Sequence, residues 1–428
     1  MFLIVYLIVL FFVVKYYQSY SPALLLIGIY LISLFCGLLI SQNYALDTFF
    51  KTFNLVFLTA ILTMFILPWN SYRYTTSISE PNPRTLRKYT ITLFMINGIS
   101  LIVFMAIFYL VHPEVSNYEN FKNDGTAVDA IRDTNINHFL LLFSIYLHPT
   151  AYFLIPLHFF YLKNKKYFLS LIAFLLSLNI AFFSLTVFSR SGIIEYMMLY
   201  LFYFPFFYNE FKERIRYIVR NRLFLIFAFA AAAGFAYLII FFYQITANRF
   251  ENAVVEPNSF IDNPVIYYLF DYASQWLENS NEVMSTYSFH TLNGELSFPL
   301  LYAIAHKLQL FQYPEGILAD KLYVLWGKHF NTFNGLTANL LFDYGYIGTL
   351  IYSCFYFILV WLLRPVRGRL SFDSFLGLGI FFILPAMGIF NYQMRSLVYN
   401  ALIVYYAIAC LWVFFYKNIV CSVSAVRN

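Results

Sequence analysis

Eleven stretches of the chain are apolar for long enough to predict helices that cross a bilayer. They are Phe2–Val14, Pro22–Ser41, Phe53–Trp69, Ile91–Val111, Phe139–Leu162, Phe168–Phe188, Ile193–Tyr208, Leu223–Tyr243, Ala338–Leu363, Phe372–Phe390 and Val398–Tyr416. A helix needs roughly 20 apolar residues to span the hydrocarbon core. The first and seventh runs are short, which predicts little tilt or an extension into the interface. The period-two alternation of a membrane barrel is absent, and a helix satisfies its own backbone groups where no water can. The predicted fold class is therefore an all-α polytopic membrane protein of about 11 transmembrane helices, one domain over residues 1–428.

One long segment, Gln244–Thr337, carries no run of crossing length. Ile266–Leu277 and Leu300–Phe311 within it have helical apolar spacing, and Pro257, Pro264, Pro299 and Pro314 divide it into short pieces. The expectation is a packed cap of short helices over one end of the bundle, lying partly along the interface where Tyr and Trp are favoured.

Composition sharpens this picture. Of 428 residues, 61% are hydrophobic and only 11% charged, against about 25% charged in soluble domains. The net charge of +6 follows the turns between runs, so it gives no reason to expect nucleic acid as a partner. Short turns after the first, third, fifth, seventh, ninth and eleventh runs hold 18 of the 27 Lys and Arg and only Glu80, Glu210, Glu213 and Asp373 among the acids. The positive-inside rule places those turns in the cytoplasm. The N-terminus and the 244–337 loop then lie outside and the C-terminus inside. That loop is net acidic, with nine acids from Glu251 to Asp320 against Arg249, Lys307, Lys321 and Lys328. The first run lacks the charged start and cleavage site of a signal peptide. Cys36, Cys354 and Cys410 lie in apolar runs and Cys421 in the tail, so neither a disulfide framework nor a Cys-based metal site is expected.

Few groups remain to carry chemistry. Arg190, in Phe188-Ser-Arg-Ser-Gly192, Arg249, directly after the eighth run, and Arg395, in the last outer turn, are arginines at the outer ends of spans. An arginine there presents a planar, permanently charged fork to a phosphate or diphosphate. The plainer alternative is an anchor to lipid headgroups. Three arginines make an anion site only if the bundle gathers them. His290, His306 and His329 are the loop groups able to exchange a proton near neutral pH. His329 has the better claim from its neighbours Phe330-Asn-Thr-Phe-Asn334, and no pair has zinc-ligand spacing. His148 precedes Pro149 inside the fifth run, where it is expected to satisfy backbone freed by the proline rather than to line a cavity. Phosphate-loop, nucleophile-elbow and zinc-protease motifs are absent. Acids buried mid-span, the mark of proton-coupled transport, are not expected either, since Glu195 and Asp343 fall near outer ends.

Phe330-Asn-Thr-Phe-Asn-Gly-Leu-Thr-Ala-Asn-Leu-Leu-Phe-Asp-Tyr-Gly-Tyr-Ile-Gly-Thr349 resembles the segment entering the span after the large outer loop in bacterial polysaccharide repeat-unit polymerases. These are the Wzy type, active in O-antigen and capsule assembly. Asn331, Thr332, Phe333, Asp343, Gly345 and Gly348 match that pattern, and Asn334 stands where the family has a second Thr. Ser189-Arg-Ser-Gly192 resembles the Ser-Arg-Gly turn shared with O-antigen ligases, with one serine inserted.

The resemblance implies a GT-C-like bundle in the bacterial cytoplasmic (inner) membrane. Its substrates would be a polyprenyl-diphosphate-linked oligosaccharide donor and acceptor at the outer leaflet, with no cofactor and no metal. A chain-length regulator and a flippase are the implied working partners. In that role Arg190, Arg249 and Arg395 would meet the diphosphate and His329, or else His290, would act as base. Asn331, Asp343, Tyr272 and Trp276 would contact sugar, although most loop aromatics are expected to pack within the cap. Transfer to another acceptor by a ligase of the same chemistry, or non-enzymatic flipping of a lipid-linked glycan, remain the alternatives.

Overall fold

The computed structural model describes residues 2–16, 21–41, 52–111, 136–186, 191–207, 250, 254–287, 290–310, 318–327 and 333–425. Six helices among them are long and apolar enough to cross a membrane: Pro22–Ile40, Phe53–Tyr74, Pro83–Leu110, His138–Lys163, Tyr167–Thr186 and Gly335–Leu362. Shorter apolar helices cover Leu3–Lys15, Ser191–Phe207, Phe372–Ala386 and Leu397–Leu411. The eighth expected run, Leu223–Tyr243, lies outside the described residues.

In chain order the helices are α1 (Phe2–Lys15), α2 (Pro22–Ile40), α3 (Thr52–Ile66), α4 (Pro83–Val111), α5 (His138–Leu147), α6 (Leu154–Lys163), α7 (Tyr167–Ser177), α8 (Asn179–Thr186) and α9 (Ser191–Tyr203). They continue as α10 (Pro264–Thr286), α11 (Pro299–Lys307), α12 (Leu318–Trp326), α13 (Gly335–Leu362), α14 (Phe372–Ala386) and α15 (Leu397–Ala425). Several starts are written in the sequence. Ser21 and Asn263 accept backbone N–H bonds from the first turns of α2 and α10, each followed by proline at the first helical position. Asn137 caps α5 and Ser371 caps α14 in the same way. At the bundle's centre Trp69 is fully buried, donating to the Tyr356 hydroxyl at 3.0 Å and meeting Phe202 and Phe382 edge-on.

Two neighbouring segments are broken inside the bundle. Pro149 turns His148–Phe153 into a 3-10 stretch between α5 and α6, and the next segment breaks between α7 and α8 at Leu178. Polar side chains meet at the breaks, as they must where no water competes. Thr150 donates to the Leu147 carbonyl at 2.7 Å and accepts from Asn97 at 3.0 Å, while Asn179 donates to Asn97 at 3.1 Å.

Basic turns remote in sequence share one end of the bundle. Ser77–Ile78 (β1) and Arg369–Leu370 (β2) form a parallel two-residue ladder, joining the turn before Arg84 to the one that holds Arg364 and Arg367. The Phe372 N–H donates to Ser79 Oγ at 3.0 Å, and Phe160 packs on Phe372 with ring centroids 4.9 Å apart, which draws in the Lys163–Lys166 turn. The turn at Asn391–Ser396 lies toward the opposite end.

In the segment between the eighth and ninth expected spans, the first helix, α10, has 23 residues and runs alongside α2. Trp276 Nε1 donates to Ser33 Oγ at 2.6 Å, and Ser33 donates to the Ala273 carbonyl at 2.5 Å. A third helix, α12, joins the two foreseen. In α13 the backbone at Gly345 takes φ 65°, ψ −173° and splits the helix. A Cβ there would lie 2.7 Å from the Tyr287 hydroxyl oxygen, so both conformation and space require glycine.

Candidate functional site

A cavity of about 210 Å³ lies toward the end away from the basic turns. It forms because the two broken segments leave room beside α9 and the last turn. The 3-10 break supplies His148 and Tyr152, α8 supplies Ser184, α9 supplies Ser191, Gly192 and Glu195, and the 391–396 turn with α15 supplies Gln393, Arg395 and Tyr399. Gly192 sets the closeness of α8 and α9: a Cβ there would overlap Ser184 Oγ. The second half of Ser-Arg-Ser-Gly therefore forms part of the wall.

Glu195 is the acid of the cavity. It is 6% exposed, Tyr152 donates its hydroxyl proton to Oε2, and the Gln393 side chain lies beside the carboxylate. Isolated, a buried carboxylate is strongly disfavoured; the tyrosine bond holds it in place. These contacts bring the 3-10 break, α9 and the last turn together.

Arg395 is the cation. It ends a 3-10 turn, Gln393–Arg395, and donates to Asn391 Oδ1 at 2.8 Å. Burial lowers its guanidinium to about 10, so it stays charged at neutral pH. The turn is held from below by Asn400, which donates to the Met394 carbonyl at 2.6 Å and the Ser297 carbonyl at 3.3 Å.

Behind the wall, a chain of bonds reaches the acidic loop. Asp343 is fully buried and accepts from the N–H groups of Leu296 at 2.9 Å and Ser297 at 2.7 Å, and from the Ser297 hydroxyl. With that proton committed, Ser297 Oγ accepts from the hydroxyl of Tyr392, a cavity-lining residue, at 2.6 Å.

Of the residues singled out by sequence, Arg395 lines the cavity. Arg190, Arg249, His329 and Asn331 lie outside the described residues, though Ser191, which follows Arg190 in the chain, is part of the wall. His290 is exposed and does not line the cavity; its carbonyl accepts from Tyr287 at 3.2 Å. Two residues expected to contact sugar are enclosed within the protein. Trp276 is 1% exposed, pinned to Ser33 and edge-on to Tyr30, so its ring faces protein on both sides. The Asp343 oxygens are occupied by the loop they anchor. Tyr272, half-buried, packs edge-on against Phe250 and Phe333.

His148 departs from its expected role in one respect. Its Nδ1 bonds the Ile145 carbonyl at 3.1 Å, as the proline break predicts, yet the ring also lines the cavity, stacked on Phe183 at 3.9 Å. Glu195, Tyr152 and Gln393 were not foreseen as site residues. The available signal was a lone acid in an apolar run, one helical turn after Gly192.

The cavity is smaller than the roughly 300–1,000 Å³ that encloses a whole drug-sized ligand. A cation at neutral pH and a held acid in such a space suit an anionic headgroup and one reacting hydroxyl rather than an entire glycan. The chain matches no family model, no curated protein sequence and no solved structure.

Proposed function

We propose that this chain is a glycosyltransferase of the bacterial cytoplasmic membrane, polymerising polyprenyl-diphosphate-linked oligosaccharide repeat units at the outer leaflet. The growing glycan leaves one lipid carrier and joins the terminal sugar of a new lipid-linked unit. In this reading the bundle has about eleven spans in a GT-C-like arrangement, with the N-terminus outside and the basic turns in the cytoplasm. The common end shared by the described basic turns supports that orientation.

The observation that carries the reading is the meeting of Arg395 with Ser191 and Gly192 around one cavity. Arg395, singled out for an anion at headgroup depth, and the last two residues of the Ser-Arg-Ser-Gly turn, about 200 residues earlier in the chain, contribute to the same wall. The leaving group is a lipid diphosphate, on which negative charge grows as the glycosidic bond breaks. A fixed cation aimed at that charge acts on the transition state more than on the bound substrate. Arg395 takes this role, with Arg190 and Arg249 as its expected companions.

The test is incubation of the purified protein with polyprenyl-diphosphate-linked repeat units extracted from cells in which its gene is deleted. Longer glycans on the lipid carrier are the expected product. If the units lengthen only after another acceptor such as lipid A core is added, the protein is a ligase. If they stay unchanged in detergent but cross the bilayer of protein-containing vesicles, it is a flippase.

A further inference from the structure

Transfer to a sugar hydroxyl needs a proton acceptor as well as a cation. The loop histidines that the structure describes, His290 and His306, are exposed and outside the cavity. Glu195 is inside it. Its carboxylate is buried, lines the same cavity as Arg395, and is held by the Tyr152 hydroxyl with Gln393 beside it. A carboxylate has about four lone-pair positions, so the bond from Tyr152 leaves it able to accept another.

We infer that Glu195 is the proton acceptor for the attacking sugar hydroxyl, an inference that rests on the glycosyl-transfer reading above. The acceptor oxygen bonds to the anomeric carbon of the donor as the bond from that carbon to the diphosphate oxygen breaks. The electron pair of the broken bond leaves with the polyprenyl diphosphate beside Arg395. The hydroxyl proton passes to the Glu195 carboxylate, which returns it to water before the next cycle. No other reactant is required.

The surroundings fit this division of labour. Around Glu195 stand His148 and Tyr152 from the 3-10 break, Gln393 and Arg395 from the last turn, and Tyr399 from α15. Arg395 is the cation among these described residues. His148 is the rival base. Its Nδ1 is bonded to the Ile145 carbonyl, and its ring lies between Phe183 and Phe104, which fixes it against apolar neighbours.

The test measures chain extension on extracted lipid-linked repeat units by Glu195→Gln, Glu195→Asp and His148→Gln proteins, with binding of undecaprenyl diphosphate as a second readout. Glu195→Gln is expected to slow extension about 100-fold or more, with carrier binding within about threefold of wild type. Glu195→Asp keeps the carboxylate and recovers part of the rate. The wild-type rate rises with pH through one deprotonation, and Glu195→Gln flattens that limb. Extension by Glu195→Gln within about threefold of wild type overturns the inference while the glycosyl-transfer reading stands. So does loss of carrier binding in step with rate, which marks a structural role, or a comparable loss confined to His148→Gln. A wild-type protein that extends nothing overturns the underlying reading instead.

Discussion

The Tyr392 hydroxyl donates to Ser297 Oγ at 2.6 Å, and through this bond a wall of the cavity is tied to the loop that Asp343 anchors. The two backbone N–H groups that Asp343 accepts are buried with the loop. Asp343→Ala leaves both unpaired, at about 1–3 kcal/mol for each buried donor. The expected result is a lower thermal midpoint in detergent, with faster hydrogen exchange at Leu296 and Ser297. Asp343→Asn keeps an acceptor oxygen and loses less.

Gly345 occupies a backbone region that is essentially glycine-only, and a Cβ there would press on the Tyr287 hydroxyl. Gly345→Ala should destabilise by about 1–3 kcal/mol from conformation alone, plus the cost of the contact. Adding Tyr287→Phe removes the contact but not the strain. Denaturation of the single and double variants should therefore show partial rescue; complete rescue would mean that the contact is the whole effect.

Arg395 makes a prediction in two dimensions. Arg395→Ala should reduce chain extension about 100-fold or more, in the range found when a fixed donor to developing charge is removed. Binding of undecaprenyl diphosphate by the wild type should decline as pH rises through about 10, where the guanidinium loses its proton. An unmodified arginine would hold its charge beyond 12. A binding titration between neutral pH and about 11 distinguishes the two.

Asp271, on α10, is raised above its ordinary value of 3.8 by burial, partly offset by a bond from Gln275. A carboxyl that holds its proton more tightly when folded favours the fold at low pH. That stability is lost as pH rises from the unfolded value through the folded one. Asp271→Asn should thus raise the thermal midpoint at neutral pH and have little advantage near pH 3. Scans at the two values check the sign.

The apolar runs made the helices legible, because crossing length is a local property. The pairing of basic turns was legible too, since the charge bias of each turn is read without knowing its neighbours. The cavity was not. It is assembled from His148, Tyr152, Glu195 and Arg395, which no local period connects, and it owes its room to breaks after Leu147 and at Leu178. Glu195 was visible as an acid in an apolar run but was read as an end-of-span residue, since nothing in the sequence announces Tyr152 and Gln393 as its partners. Trp276 fell on a correctly foreseen helix. Only the packing of α10 on α2 reveals that its indole is enclosed.

The two-residue ladder bears on how the chain is put together. Its hydrogen-bonding partners Thr76 and Gly368 are 292 residues apart, so one strand emerges from the ribosome long before the other exists. The backbone donors of Thr76, Ser77 and Ser79, which pair with Gly368 and Leu370, must rely on water or transient partners until that late part of the chain arrives. Long-range pairing of this kind comes late because the intervening chain must be ordered first. The ladder is then a closing clasp in biogenesis: a nascent chain halted before Arg369 has its early helices inserted and that edge open to chaperones and proteases.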